Sequence, residues 1–154
     1  MPGRCLLWAV VISFLYGSSI QAEEIPNREG IEFSALMPAD KALQQIELVR
    51  EALRGGSCIK LAEFVRFPFI INQPGRESRS IWNRTAFCRY YSSVFDKDRT
   101  NAFLEQDVAD TPIGYRGLSF WKSGVWLQPT CPGTAPQADC HPSMYQLKLV
   151  SVTL

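Results

Sequence analysis

Apolar residues recur at helical spacing at Leu43, Ile46, Val49 and Leu53, while Lys41, Gln45, Glu47 and Arg50 fall largely on the other face. This predicts an amphipathic helix that starts near Pro38, a residue suited to a first turn, and ends at Gly55-Gly56. Before it, residues 23–37 are mixed and read as extended or irregular. After it, Ser57 can cap a short helix through Val65 carrying Ile59, Leu61 and Ala62, and Pro68 stops its continuation. Phe69-Ile70-Ile71-Asn72 reads as a strand, Gln73-Pro74-Gly75 as a turn, and Ser78 to Trp82 as a partner strand or extended lead-in. Asn83 is placed to cap a helix whose Phe87, Tyr90, Tyr91 and Val94 form a core stripe. Asp98 is the expected cap of another helix to about Gln106, with Ala102 and Phe103 inward.

Beyond Pro112 the period becomes two. Tyr115 to Trp121 and Val125 to Gln128 read as strands joined by a hairpin turn at Lys122-Ser123-Gly124. Met144 to Leu154 closes the chain with Tyr145, Leu147 and Leu149 alternating against Gln146 and Lys148. Helices come first and strands last. That order predicts an α+β fold, with N-terminal helices packed on a curved antiparallel sheet that encloses a cone-like pocket.

The first residues have another pattern. Arg4 precedes an apolar run from Leu6 to Tyr16, followed by Gly17, Ser18 and Ser19, with Ala22 just before Glu23-Glu24. This is the layout of a secretory signal peptide over residues 1–22, cleaved after Ala22 or, as the rival, after Ser19. The run is too short to span a bilayer. A single domain over 23–154 is the expected mature form, in the periplasm or secreted. Removing the leader takes away Arg4 alone among charged residues, so basic and acidic residues balance at 15 acidic against an equal number of basic ones. That balance argues against nucleic acid and against electrostatic attachment to anionic lipid.

Four cysteines remain after the leader's Cys5: Cys58, Cys88, Cys131 and Cys140. An even count in an exported chain reads as two disulfides, for which three pairings exist. Cys131 with Cys140 is favoured because a local bridge would tie down the Pro-rich loop between them, and Cys58 with Cys88 follows by elimination. The rival, a four-thiolate metal site, lacks a Cys-x-x-Cys knuckle and suits an oxidising compartment poorly.

Little else points to chemistry. His141 is the single histidine, with Asp139 its nearest acidic neighbour in sequence. Asp96, Asp98, Glu105, Asp107 and Asp110 form an acidic stretch without a calcium-loop spacing. Asn83-Arg84-Thr85 matches a glycosylation acceptor, but Asn83 is read as a helix cap. No metal, cofactor or catalytic set is expected. The aromatic residues are more informative. Trp82, Tyr90, Phe120, Trp121 and Trp126 fall in the elements that would build the pocket, and Phe120 and Trp121 must point to opposite sides of a strand. With Arg116, which could meet an anionic group, they are the candidate pocket or interface residues.

Three stretches carry a family likeness: Val65-Arg66-Phe67-Pro68-Phe69-Ile70-Ile71-Asn72, Tyr90-Tyr91-Ser92-Ser93-Val94-Phe95-Asp96, and Tyr115 through Leu127 with its Gly117, Trp121, Gly124 and Trp126. In this order they resemble the NTF2-like (cystatin-like cone) superfamily, specifically its small exported bacterial members, over roughly residues 40 to 130. The resemblance implies a scaffold that hosts isomerases, dehydratases, ligand carriers, dimerising modules and toxin-immunity proteins, and it places no catalytic residue here. The function expected is a non-catalytic exported binding module for a small ligand or protein, with a homodimer among the expected assemblies. The alternatives are a periplasmic inhibitor or immunity protein and a small isomerase or hydrolase. The last requires a buried carboxylate, for which Asp40 and Glu63 are the conceivable residues.

Overall fold

The computed structural model describes residues 27–111, 113–114, 117–132 and 140–154. The expected leader, Arg116, Asp139 and most of the Cys131–Cys140 loop lie outside those residues. Helix α1 (Arg28–Ala35) is followed by α2 (Ala39–Arg54), α3 (Cys58–Leu61) and a 3-10 turn over Ala62–Phe64. Strands β1 (Val65–Asn72) and β2 (Arg79–Ile81) lead to α4 (Arg84–Val94) and α5 (Lys97–Glu105). After a 3-10 turn over Val108–Asp110 come β3 (Ile113–Gly114), β4 (Gly117–Phe120), β5 (Val125–Thr130) and β6 (Gln146–Thr153). The fold is α+β, with helices packed on a sheet.

The sheet order is β2-β1-β6-β5-β4-β3. β3, β4, β5 and β6 pair antiparallel with their neighbours, and so do β1 and β2. β6, however, runs parallel to β1. The expected purely antiparallel sheet is therefore corrected to a mixed one. The last strand enters the middle of the sheet and joins the β1–β2 hairpin to the β3–β5 group. The long stretch from β1 to β6, including α4 and α5, supplies the crossover that parallel pairing demands.

Three local expectations also change. Residues 28–35 form helix α1 rather than an irregular lead-in. Asn27 has a positive φ of 56° and gives no side-chain cap, so the helix has no local start signal. It forms by burying Ile31 and Ala35, and it contacts β3, β4 and β5. Strand β1 begins at Val65 and runs through Pro68, because its register with β6 is broken between Val65 and Ile70 and the ladder does not need an amide hydrogen there. Asp96, not Asp98, caps α5, accepting from the Arg99 amide at 2.8 Å. Asn83 caps α4 as expected, accepting from the Ala86 amide at 2.9 Å.

The core lies between the helices and one face of the sheet. Ala42, Ile46, Val49 and Leu53 of α2 and Phe69, Phe120, Leu127 and Leu149 of the sheet are buried in it. Phe69 meets Phe87 edge-on at 5.3 Å, and Phe103 packs on Phe120 at 4.5 Å. The polar face of α2 is not simply solvated. Gln45 accepts from the Leu147 amide at 2.6 Å, Lys41 donates to the Ser143 carbonyl, and Arg50 donates to the Gln106 carbonyl at 2.5 Å. Gln106, itself fully buried, accepts from the Lys122 amide at 3.2 Å. These bonds fix α2 to the end of α5 and to the segment that enters β6.

Both disulfides pair as the sequence favours. Cys58–Cys88 joins α3 to α4 with a Cα separation of 5.3 Å, and Cys131–Cys140 links the end of β5 to the approach of β6 at 5.9 Å. Among the described residues, no helix is long and apolar enough to cross a membrane.

Candidate functional site

Strand alternation sends Phe69, Ile71, Leu127, Leu149 and Val152 toward the helices. It sends Arg66, Pro68, Ile70, Trp126 and Gln128 the other way, where they are half-buried or exposed. On this open side Ile70 pairs with Ser151, Ser151 with Trp126, and Trp126 with Ser119, so these side chains form a row across four strands. The regular pattern breaks at one place. β6 carries one extra residue, Val150, between Leu149, paired with Leu127, and Ser151, paired with Trp126. The break in the β1–β6 register, between Val65 and Ile70, falls opposite the same point, between Leu149 and Ser151. Bulges of this kind re-aim side chains and bend the strand.

The result is a groove of about 410 Å³. Val150 and the small Ser151 of central β6 form its floor; Arg66, Pro68 and Ile70 of β1 form one wall, and Trp126 and Gln128 of β5 the other. The Trp126 ring is held by a close approach to Gly117. A Cβ at Gly117 would lie 2.7 Å from that ring and 2.8 Å from the Leu127 carbonyl oxygen. Only glycine there lets the indole lie across β4. Beside Gln128, Lys148 on the same face donates to the Glu63 carbonyl at 2.8 Å. Desolvation holds the Lys148 ammonium pKa below the ordinary lysine value, and the Glu63 charge partly opposes that shift.

Of the candidate pocket residues named from the sequence that are described, Trp126 alone lines this groove. Phe120 is 0% exposed and belongs to the core, while Trp121 on its other side is 59% exposed in the β4–β5 turn. Strand alternation anticipated that split, and the structure shows Phe120 to be the inward member. Trp82 is 70% exposed beyond β2. Tyr90, half-buried on α4, lies under the Arg79 guanidinium, whose Cζ is 4.9 Å from the ring centroid. Arg116 lies outside the described residues. Arg66, Ile70, Gln128, Val150 and Ser151 were not singled out from the sequence. A signal for them exists: Tyr145, Leu147 and Leu149 alternate, but the next buried residue is Val152, one position out of phase. That slip marks the bulge.

Two further hollows are lined by described residues. One, of about 680 Å³, is lined by Asp96, Asp98, Arg99, Trp121 and Lys122 among others. Asp96 is already engaged there in capping α5 and pairing with Arg99 at 3.3 Å. The other, of about 470 Å³, lies at the α1–α2 turn beside Cys140, Pro142 and Tyr145. Asp40 and Glu63 are exposed, and no Asp or Glu among the described residues is buried. Among the described residues no group of three or more His, Cys, Asp and Glu is placed to hold a metal ion. His141 is exposed, with Nδ1 2.8 Å from the Ser143 hydroxyl and 3.3 Å from the Ser143 amide, where it caps a short 3-10 turn.

Fold and site together define an α+β protein with a mixed sheet and a single-sided aromatic groove. No family model, curated protein or solved structure matches the chain.

Proposed function

We propose that this chain is an exported, non-catalytic binding module whose ligand sits in the groove on the open face of its sheet, with Trp126 as the platform. The observation that carries the reading is the coincidence of two register breaks with an indole held in place by Gly117. A site preorganised in this way binds without first ordering its own side chains. The sheet-face form of the binding reading is favoured over a pocket beneath the helices, because Phe69, Phe120, Leu127 and Leu149 occupy that space. The two disulfides support folding in an oxidising compartment, and with the signal-like first residues they support export to the periplasm or beyond. The helix-then-sheet order is compatible with the NTF2-like resemblance. Exposed Trp82 beside the edge strand β2 favours, as a second reading, an inhibitor or immunity protein that docks a partner there.

A thermal-shift screen of small fragments against three variants tests the site. Fragments that stabilise the native protein should lose their effect in Trp126→Ala and in Gly117→Ala, and keep it in Trp121→Ala. Loss in Trp121→Ala alone would move the site to the turn and refute the groove. Gly117→Ala is also expected to cost about 1–3 kcal/mol of stability through overpacking against Trp126 and the Leu127 carbonyl.

A further inference from the structure

Resting on the groove reading, we propose that its occupant is a small organic carboxylate with a flat apolar body, the body lying on Trp126 and the carboxylate meeting Arg66. Three observations point to this chemistry.

The first is charge. Among the described residues, the groove is lined by one cation, Arg66, and by no carboxylate. Arg28, Arg50, Arg54 and Arg99 each pair with an acidic side chain, whereas Arg66, like Arg76, Arg79, Arg84 and Arg89, forms no ion pair among the described residues, and of these unpaired arginines it is Arg66 that lines the groove. A guanidinium standing at the wall of an apolar groove presents a donor fork suited to a bidentate carboxylate. Lys148, beside Gln128, adds a second positive group on the same face, though the Glu63 charge acts on it.

The second is the lining. Pro68, Ile70, Val150 and the Trp126 ring offer apolar surface to a ligand body, while Gln128 and Ser151 supply a few polar contacts. This mixture, with Arg66 at the wall, is that of a small-ligand site, and a volume of about 410 Å³ falls in the usual range for such sites.

The third is topology. β1, β6 and β5 each have neighbours on both sides. The groove therefore has no free strand edge along which a peptide could add by main-chain pairing. A compact molecule seated across the strands fits the geometry, and an extended protein segment does not.

The test follows the Trp126 indole N–H signal by NMR during titration with three probes of similar shape: 3-phenylpropionate, 3-phenylpropionamide and phenethylammonium. The acid is expected to bind about tenfold more tightly than the amide, the difference a charge-assisted pair supplies, with the ammonium weakest. Arg66→Gln should bring the acid's affinity down to that of the amide measured on the same variant, and Arg66→Lys should restore part of the preference. Equal titration by all three probes, or an acid preference that survives Arg66→Gln, overturns the carboxylate assignment and leaves the groove reading standing. A Trp126 signal unmoved by any probe at about 10 mM, well above the millimolar affinity expected of such fragments, overturns both. Tighter binding of an acetylated acidic tripeptide than of the free acid would replace the small molecule with a protein segment. A signal that shifts with protein concentration alone would place a second copy in the groove. Either result refutes the proposal.

Discussion

Gly124→Ala is expected to lower stability by about 2–5 kcal/mol, the largest loss of any single methyl added to a described glycine. Gly124 has a φ of +69°, and a Cβ built there would stand 2.2 Å from the carbonyl oxygen of Thr153. That contact is with backbone, which no rotamer change can relieve. The Gly124 carbonyl also accepts from the Thr153 amide at 2.9 Å, so the turn is stitched to the end of β6. The left-handed backbone accounts for about 1–2 kcal/mol and the overpacking for a further 1–3 kcal/mol. Urea unfolding measures it as a lower midpoint with an unchanged slope. Gly75 separates the two causes, since its φ is +74° but nothing lies within 4 Å of a Cβ there. Gly75→Ala should therefore lose only the backbone part. Equal losses at the two positions would refute the assigned contact with Thr153.

Removing the Cys58–Cys88 bridge, by changing both residues to alanine, is expected to cost about 3–4 kcal/mol. The bridge closes a sequence separation of 30 residues and ties α3 to α4, the helix whose Phe87 packs against Phe69. Loss of the Cys131–Cys140 bridge, with a separation of 9, should cost about 2.5–3 kcal/mol, because a shorter loop restricts the unfolded chain less. The order of the two losses in denaturant unfolding is the informative quantity. A larger loss at Cys131–Cys140 would contradict the loop-length argument.

Much of the fold is written locally. The spacing of Ile46, Val49 and Leu53, the Asn83 cap, the turn before Val125 and the alternation of Leu147 and Leu149 each name their element without help from elsewhere. What is not local is not legible. Helix α1 has glycine at position 30, no side-chain cap, and Phe33 exposed, so its pattern is weak and only contact with the sheet makes it a helix. The parallel pairing of β1 with β6 joins segments about 80 residues apart, and nothing in either strand specifies its direction. Pro68 reads as a breaker in isolation and is tolerated because the register slips around it. The site follows the same division. Trp126 was conspicuous as an aromatic, whereas Arg66, Gln128 and Val150 look like ordinary strand residues until β6 brings their strands together. The polar residues Gln45 and Arg50 fall on the face opposite the apolar stripe, and nothing local shows that they bond to main-chain groups far along the chain.

That the open face of the sheet is the binding surface is tested most directly by mapping backbone amide shifts while the protein is exposed to a library of small aromatic and aliphatic acids, amides and amines. The shifts should gather on Arg66, Ile70, Trp126, Gln128 and Ser151, with the helices silent. Shifts gathered instead around Trp121 and Asp98, or at the α1–α2 turn near Met37 and Tyr145, would contradict the account.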